Sequence, residues 1–424
     1  MEPRQGRPAT CAHRPRLTPA AAVATVQPRQ ERRVSMSGRA AELSAREMLA
    51  RLVAFPTVSS ESNLDCIVFI RDWLAGHGVA SHIVPSDDGR KANLFATVGP
   101  MVPGGVVLSG HTDVVPVDGQ AWTSDPFVLT ERDGRLYGRG TCDMKGFDAL
   151  VLAAVPAMLE AGLRRPVHIA MSYDEEVGCQ GAPRMVEAMA AAIPTPSAVI
   201  VGEPSGLKAV TGHKGSVSWF TTVRGHTGHS SRIDQGVSAV MTAARLVTWL
   251  DDAMEDNRRN ADASNGFEPP YTTLHCGVIN GGTATNIVSA ECRFVTEVRA
   301  IPTEDAWSYR ERFERHVREV IEPRMRAIAP ETGVDLTFRA AVRGLAPEKN
   351  GAAEALVRRL TGDNGSLVVS YGTEAGIFQS AGWSSVVCGP GDIAQAHQAD
   401  EYLDIHQFEA GEQFMRRLVA ELSV

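Results

Sequence analysis

Lysine is almost missing from this 424-residue chain: only five of its 42 basic side chains are lysine, the rest arginine. Against 50 Asp and Glu the formal charge is −8, so no basic surplus marks nucleic acid or an anionic membrane as the main partner. No apolar run approaches the roughly 20 residues that cross a bilayer, and a soluble, cytoplasmic protein is the expectation. Cysteine is sparse as well. Its seven residues (Cys11, Cys66, Cys142, Cys179, Cys276, Cys292, Cys388) are odd in number, far apart and without a C-x-x-C pair, which speaks against a disulfide framework or a structural zinc cluster and fits a reducing compartment. What is present is ordinary globular usage, 43% hydrophobic and 22% charged with 39 Gly and 24 Pro. That excludes a mainly disordered or collagenous chain, and the length allows two domains.

Residues 1–38 stand apart. The first 35 positions hold seven Arg and two Glu, several Pro and no apolar periodicity. They read as a disordered extension outside the fold, with Met36 as the expected true start and an Arg-rich targeting segment as the alternative. From Ser44 the pattern turns regular, with helices expected over Ala45 to Val53 and Leu64 to His77. Buried strands are expected at Asn93 to Val98, Gly105 to Leu108, Val167 to Tyr173, Ala198 to Val201 and Ser384 to Cys388. Helical stretches at Gly146 to Ala161 and Pro183 to Ala191 alternate with them, which implies a layered α/β domain. The middle differs: strand Ser216 to Arg224, helix Gln235 to Leu250, strands Thr272 to Ile279 and Glu291 to Arg299, helix Thr303 to Ile321, strand Val334 to Ala340. That β-α-β-β-α-β order is the ferredoxin-like motif. A second domain over 213–342 is therefore expected, inserted into a discontinuous host of 39–212 and 343–424.

Side chains able to bind metals collect where the expected strands end. GVVLSG runs into His111 and Asp113, VHIAMSY into Asp174, Glu175 and Glu176, AVIVG into Glu203, and SSVVCGPGD is followed by His397, with His406 as a competitor. Asp143 sits in the Gly-rich stretch GRGTCDMKG. Ligands of open α/β sheets gather beyond the carboxyl ends of the strands, and independent surface charges have no reason to recur there. Two His with several carboxylates suit Zn, Co or Mn better than a thiol-loving metal. Two divalent metals about 3.5–4 Å apart need a bridging carboxylate and separate ligands on each side. A carboxylate next to a ligand, Glu175 or Glu176, can act as the base.

The motifs SGHTDVVP, LYGRGTCDMKGF, SYDEEVGCQG, GEPSGLK, GHKG, GHSS, YGTEAG and GPGDIAQAHQADEYL resemble those of the dinuclear-zinc peptidases and deacylases. That family includes carboxypeptidase G, succinyl-diaminopimelate desuccinylase, aminoacylase and acetylornithine deacetylase, and the resemblance runs from about Leu43 to the C terminus. GTEAG together with GPG and AHQADEY is most similar to the branch that converts N2-acetylornithine into ornithine and acetate in arginine biosynthesis. Another N-acyl-amino-acid deacylase or a carboxypeptidase of the same family is the alternative. The resemblance implies a metallopeptidase-type α/β catalytic domain with a mainly parallel central sheet, and an inserted ferredoxin-like α+β lid and dimerisation domain. It makes His111 and Glu203 ligands of one metal, Glu176 and His397 ligands of the other, Asp143 the bridge and Glu175 the general base. Asp113 would accept the other imidazole N–H of His111 and fix its tautomer, and the Asp143–Met144 peptide would be cis. It implies two divalent ions, zinc first and cobalt as a substitute, a small N-acetylated amino acid as substrate, and a homodimer. In GHTGHSS, His229 rather than His226 would reach an active site across that dimer and donate to the oxyanion. Asn286 and Arg299 match positions that bind the substrate carboxylate. Glu374 is expected to accept the cationic side chain of the substrate, or else to pin its own loop.

Overall fold

The structure, a computed structural model, describes residues 42–365 and 367–424; the extension over 1–38 lies outside the described residues. Helices α1 (Ala45–Val53) and α2 (Leu64–Gly76) precede strands β1 (Ser81–Pro85), β2 (Ala92–Val98) and β3 (Val106–His111). Next come β4 (Thr130–Arg132), β5 (Arg135–Tyr137), α3 (Lys145–Ala153), α4 (Val155–Glu160), β6 (Val167–Ser172), α5 (Ala182–Ala192), β7 (Ala198–Pro204) and β8 (Val210–His213). The middle of the chain holds β9 (Gly215–Arg224), β10 (Gly228–His229), α6 (Ala239–Arg259), β11 (Thr273–Gly281), β12 (Ile287–Val288) and β13 (Glu291–Ala300), followed by α7 (Ala306–His316), α8 (Glu322–Arg326) and β14 (Gly333–Val342). The last part runs α9 (Ala352–Thr361), β15 (Leu367–Val369), α10 (Ala375–Ser380), β16 (Ser385–Gly389), β17 (Tyr402–Asp404) and α11 (Ile405–Leu422).

Helix α1 begins where Ser44 and Glu47 cap each other: the Ser44 hydroxyl accepts from the Glu47 amide and the Glu47 carboxylate from the Ser44 amide, satisfying two donors that would otherwise be orphaned. The large sheet has eight strands in the order β1-β2-β6-β3-β7-β16-β8-β15. Its central members β6, β3, β7 and β16 run parallel to one another. Every residue in these four is buried, which is why they read as unbroken apolar runs rather than as alternation. The period of two still decides where each side chain goes. Val106 and Leu108 of β3 join the core under α1, α2, α3 and α11, while Val107 between them joins the opposite core with Met185 and Val186 of α5 and Phe378 of α10. The result is a sheet with helices on both faces.

The middle segment forms its own antiparallel sheet, β11-β13-β9-β14, packed against α6 and α7 around Trp219, Phe294 and Phe313. The chain enters and leaves this segment through adjacent passages: the His213 amide donates to the Leu345 carbonyl and the Leu345 amide to the His213 carbonyl, both at 3.0 Å. Gly215 and Gly344 let the two passages meet, since a Cβ on Gly215 would lie 2.7 Å from the Gly344 nitrogen.

Three expected helices come out differently. Gly146 to Ala161 is two helices, broken at Ala154 ahead of Pro156, which has no N–H to give and sits instead in the first turn of α4. Thr303 to Ile321 begins at Ala306 under an Asp305 cap, widens into a π turn over Val317–Ile321 and continues to Arg326 with Pro323 in the first turn of α8. The stretch from Gln235 starts as α6 only at Ala239, because the Ser238 hydroxyl caps it by accepting from the Met241 amide.

Candidate metal centre and cleft

Because β3, β6, β7 and β16 are parallel neighbours, their carboxyl ends open on one side of the sheet. His111 closes β3, Glu203 lies in β7, Glu175 and Glu176 follow β6, and His397 is in the loop after β16. Asp143 arrives from elsewhere, two residues before α3, and its peptide to Met144 is cis. His397 has a left-handed backbone, φ 61°, uncommon for a residue with a side chain.

These side chains converge. His111 Nε2 lies 3.0 Å from Asp143 Oδ1 and 3.7 Å from Glu203 Oε1. His397 Nε2 lies 3.1 Å from Asp143 Oδ2 and 3.0 Å from Glu176 Oε2. The two oxygens of Asp143 are thus divided between the two imidazoles. His111 is 1% exposed, while the His397 side chain is 51% exposed, so the cluster is closed on one side and open on the other.

Charge is crowded here. Burial, with Asp143 and Glu175 nearby, pushes Glu203 well above the usual carboxylate range. Burial does the same to Glu175, reinforced by Glu176, Glu374 and Asp143, and raises Glu176 to about 7. For Asp143 burial is outweighed by the hydrogen bonds to His111 and His397, which hold it low. His397 is raised to about 10 by Asp143 and Glu176, and His111 well above its usual value by Asp113 and Asp143 against the pull of burial. Divalent cations neutralise such a packed set of anions, and the nitrogen and oxygen donors suit them. Ligand atoms of His111, Glu175 and Glu203 lie within 4.8 Å of one another, as do those of His111, Asp143 and Glu176. The thiols do not compete. Burial raises both Cys142 and Cys179, and their S–H groups donate to the Asp392 carbonyl and to Glu175 Oε1.

Two buried acids hold the ligands in place. His111 Nδ1 lies 2.9 Å from the Asp113 backbone carbonyl and 3.5 Å from its carboxylate, so the carbonyl is the closer partner of the ring. The Asp113 carboxylate instead accepts from the Ser59 hydroxyl at 2.7 Å and from the amides of Glu175 at 3.1 Å and Glu176 at 3.3 Å. Glu401, in the AHQADEY motif, was not assigned a role from sequence. Its Oε1 accepts from the Cys142 and Asp143 amides at 2.9 and 3.0 Å, and its Oε2 pairs with buried Arg139 at 2.7 Å. The same motif carried the signal, but only the fold shows that it reaches Asp143.

The cluster opens into a cleft of about 650 Å³ whose far wall is the middle segment: Ser216, Ser218, Glu297, Arg299 and Arg339 face Asp143, Glu176, Glu203 and His397 across it. Arg299 is there, its guanidinium donating to Glu297 at 2.9 and 3.1 Å. Glu374 is not where a substrate contact must be. It is 1% exposed, and its carboxylate accepts from the hydroxyls of Ser172 and Ser109 in the sheet below. The expected contact with a cationic side chain is corrected accordingly, and among the described residues no backbone amide donates to the Glu374 carboxylate either. His229 and Asn286 lie together but off the cleft. His229 pairs with Ile287, its Nδ1 is 2.8 Å from the Ser231 hydroxyl, and the Asn286 carbonyl accepts from the Ser230 amide. Both are exposed, and neither is among the described residues that line the cavity.

Among known proteins, residues 107–421 match Peptidase family M20/M25/M40. An acetylornithine deacetylase of Myxococcus xanthus is 36% identical over 386 residues, 88% of this chain and 96% of that protein. One from Pasteurella multocida is 32% identical over 88% of this chain and 97% of its own. The crystal structure of an M20 family metallo-carboxypeptidase from Sulfolobus solfataricus superposes with a TM-score of 0.73 at 17% identity, covering 90% of this chain and 99% of that one. The convergence of strand ends on Asp143 and the match over most of the chain lead to one conclusion: this protein is a hydrolase belonging to peptidase family M20/M25/M40.

Proposed function

We propose that the chain removes the acetyl group of N2-acetylornithine, releasing ornithine and acetate, as the step that supplies ornithine to arginine biosynthesis. The observation that carries the chemistry is Asp143, with one oxygen toward His111 and the other toward His397, beside the half-buried Glu175. The substrate follows from the deacetylases that match over most of the chain. His111 and Glu203 would hold one cation and Glu176 and His397 the other, with Asp143 between them; zinc is the first choice and cobalt a substitute. Two bound cations would polarise the acyl carbonyl and acidify water at neutral pH.

Glu175 takes the proton of the attacking water and later delivers it to the leaving amine nitrogen. Its raised proton affinity, caused first by burial, suits a group that must hold a proton between the two transfers. Asp113 supports this role by fixing the Glu175 and Glu176 amides. Arg299 supplies positive charge on the far wall for the substrate carboxylate.

We take 213–342 as a lid and dimerisation domain on the catalytic host of 39–212 and 343–424, in a cytoplasmic homodimer. His229 and Asn286, exposed and away from their own cleft, would serve the partner's site, His229 toward the oxyanion and Asn286 toward the carboxylate. Closure about the paired passages at His213 and Leu345 would bring the walls together.

The test is turnover on N2-acetylornithine after reconstitution with zinc or cobalt, beside N-acetylmethionine and dipeptides. Chelator-sensitive deacetylation led by acetylornithine is expected. Faster cleavage of dipeptides would move the protein to the carboxypeptidases, and absence of metal-dependent amide hydrolysis would sink the reading.

A further inference from the structure

Cleavage of an amide loads negative charge onto the acyl oxygen, and a donor already aimed at that oxygen lowers the barrier when the charge arrives. Outside the middle segment, four side chains that line the cleft carry a donor: Cys179, Tyr371, His397 and Gln398. Three are occupied. The Cys179 thiol donates to Glu175 Oε1, His397 Nε2 faces Asp143 and Glu176, and the Gln398 side chain donates to the Ala394 carbonyl. Tyr371 is half-buried, yet among the described residues its hydroxyl makes no hydrogen bond. A phenol drawn out of water ordinarily finds a partner.

The backbone on both sides of Tyr371 is fixed. The Ser370 hydroxyl donates to the Glu268 carbonyl at 2.6 Å, the Ala375 amide donates to the Thr373 hydroxyl at 3.1 Å, and the Glu374 carboxylate is held by Ser172 and Ser109. Gly372 is close-packed as well: a Cβ there would stand 3.1 Å from Val342 Cγ1. The phenol therefore sits on a loop tied down at each end, with little freedom to lose on meeting a ligand. Burial, and then the charges of Glu203 and Asp143, push its proton affinity up, which keeps it a neutral donor at the edge of the acidic cluster.

We propose that Tyr371 is a catalytic residue whose hydroxyl donates a hydrogen bond to the acyl oxygen of the scissile amide. This rests on the reading of the cleft as a site of N-acyl-amino-acid hydrolysis. As water adds to the acyl carbon and gives its proton to Glu175, the π pair of the carbonyl moves onto oxygen, where the Tyr371 O–H meets it. When the C–N bond breaks, that pair re-forms the carbonyl and the amine nitrogen takes the proton from Glu175. Tyr371 keeps its own proton throughout. This donor comes from the chain that holds the acidic cluster, whereas His229 would have to come from a second copy.

The experiment uses the metal-loaded protein, wild type and Tyr371→Phe, which removes one oxygen and leaves the ring. Steady-state kinetics on N2-acetylornithine are paired with calorimetric binding of two ligands: its methylphosphonamidate analogue, in which a tetrahedral phosphorus with charged oxygens replaces the acyl carbon, and the product ornithine. Tyr371→Phe should lower kcat by about 10²- to 10³-fold with KM and metal content unchanged. It should weaken the phosphonamidate by a comparable factor and leave ornithine binding as it is. A loss carried by KM alone, or a phosphonamidate affinity equal to that of the wild type, would overturn the assignment. So would loss of metal in step with activity, which would make the phenol a support of the ligands. Wild-type turnover on other N-acetyl amino acids tests the substrate reading separately: if another is preferred, that acid and its phosphonamidate decide on Tyr371.

Discussion

Replacing Asp113 by Asn isolates what holds the base in position. The substitution keeps shape and volume, and it leaves the backbone carbonyl of residue 113, 2.9 Å from His111 Nδ1, untouched. If Asp113 served only to set the imidazole tautomer, little would change. Its carboxylate, however, accepts the Glu175 amide on Oδ1, and the Glu176 amide with the Ser59 hydroxyl on Oδ2. An Asn side chain must turn its NH2 toward one of these sides. The Ser59 hydroxyl can rotate and accept, but a backbone N–H cannot, so either orientation leaves one of the two amides facing another donor. The cost is one hydrogen bond to a charged acceptor, about 1.5–3 kcal/mol, plus an unpaired part-buried donor, about 1–3 kcal/mol, giving roughly 2.5–6 kcal/mol of stability. The Glu175–Glu176 loop loosens as a result, and a loss of about 10- to 100-fold in activity or metal affinity is expected. Denaturant unfolding, metal content and kcat on acetylornithine measure this, with Ser59→Ala as a milder control at about 1 kcal/mol. A stable Asp113→Asn variant with wild-type kcat and full metal content would refute the loop-pinning role.

Glu175→Ala should keep both metals yet lose about 10²- to 10⁴-fold in kcat; loss of metal in step with activity would make Glu175 a ligand instead. Glu176 and Glu374 have folded-state values raised to about 7, largely by burial, from 4.5. A group raised on folding stabilises fully below its unfolded value and loses that contribution as pH rises through the folded one. The chelated protein should therefore weaken between about pH 4.5 and 7 and regain stability on adding zinc; urea midpoints higher at pH 7.5 than at pH 5 without metal would contradict this. Gly389→Ala would put a Cβ 1.9 Å from the Gly202 carbonyl oxygen, forcing β16 away from β7 beside Glu203. About 1–3 kcal/mol of destabilisation and weaker metal retention should follow, read by unfolding and metal content.

The amino-acid sequence by itself determined the strands and the residues that end them. Runs such as GVVLSGH and AVIVGE are buried on both faces, so they stay free of charge until the chain nears the end of the sheet, and the first ionisable side chain marks its carboxyl edge. His111 and Glu203, and the Glu pair after β6, were legible for that reason, and so was the β-α-β-β-α-β order of the middle segment. Local pattern did not reveal how distant edges meet. The division of Asp143 between two imidazoles and the grip of Glu401 on its amide depend on side chains over 250 residues apart in sequence. Glu374 turned inward because serines on β3 and β6 offer it hydroxyls, and the bulge in β14, where the pairing with β9 skips Arg339, lets Arg339 and Ala340 both line the cleft. Periodicity reports which face a residue prefers when its strand is regular. Partners across the sheet, and the bulge that breaks that regularity, exist only once the strands have paired.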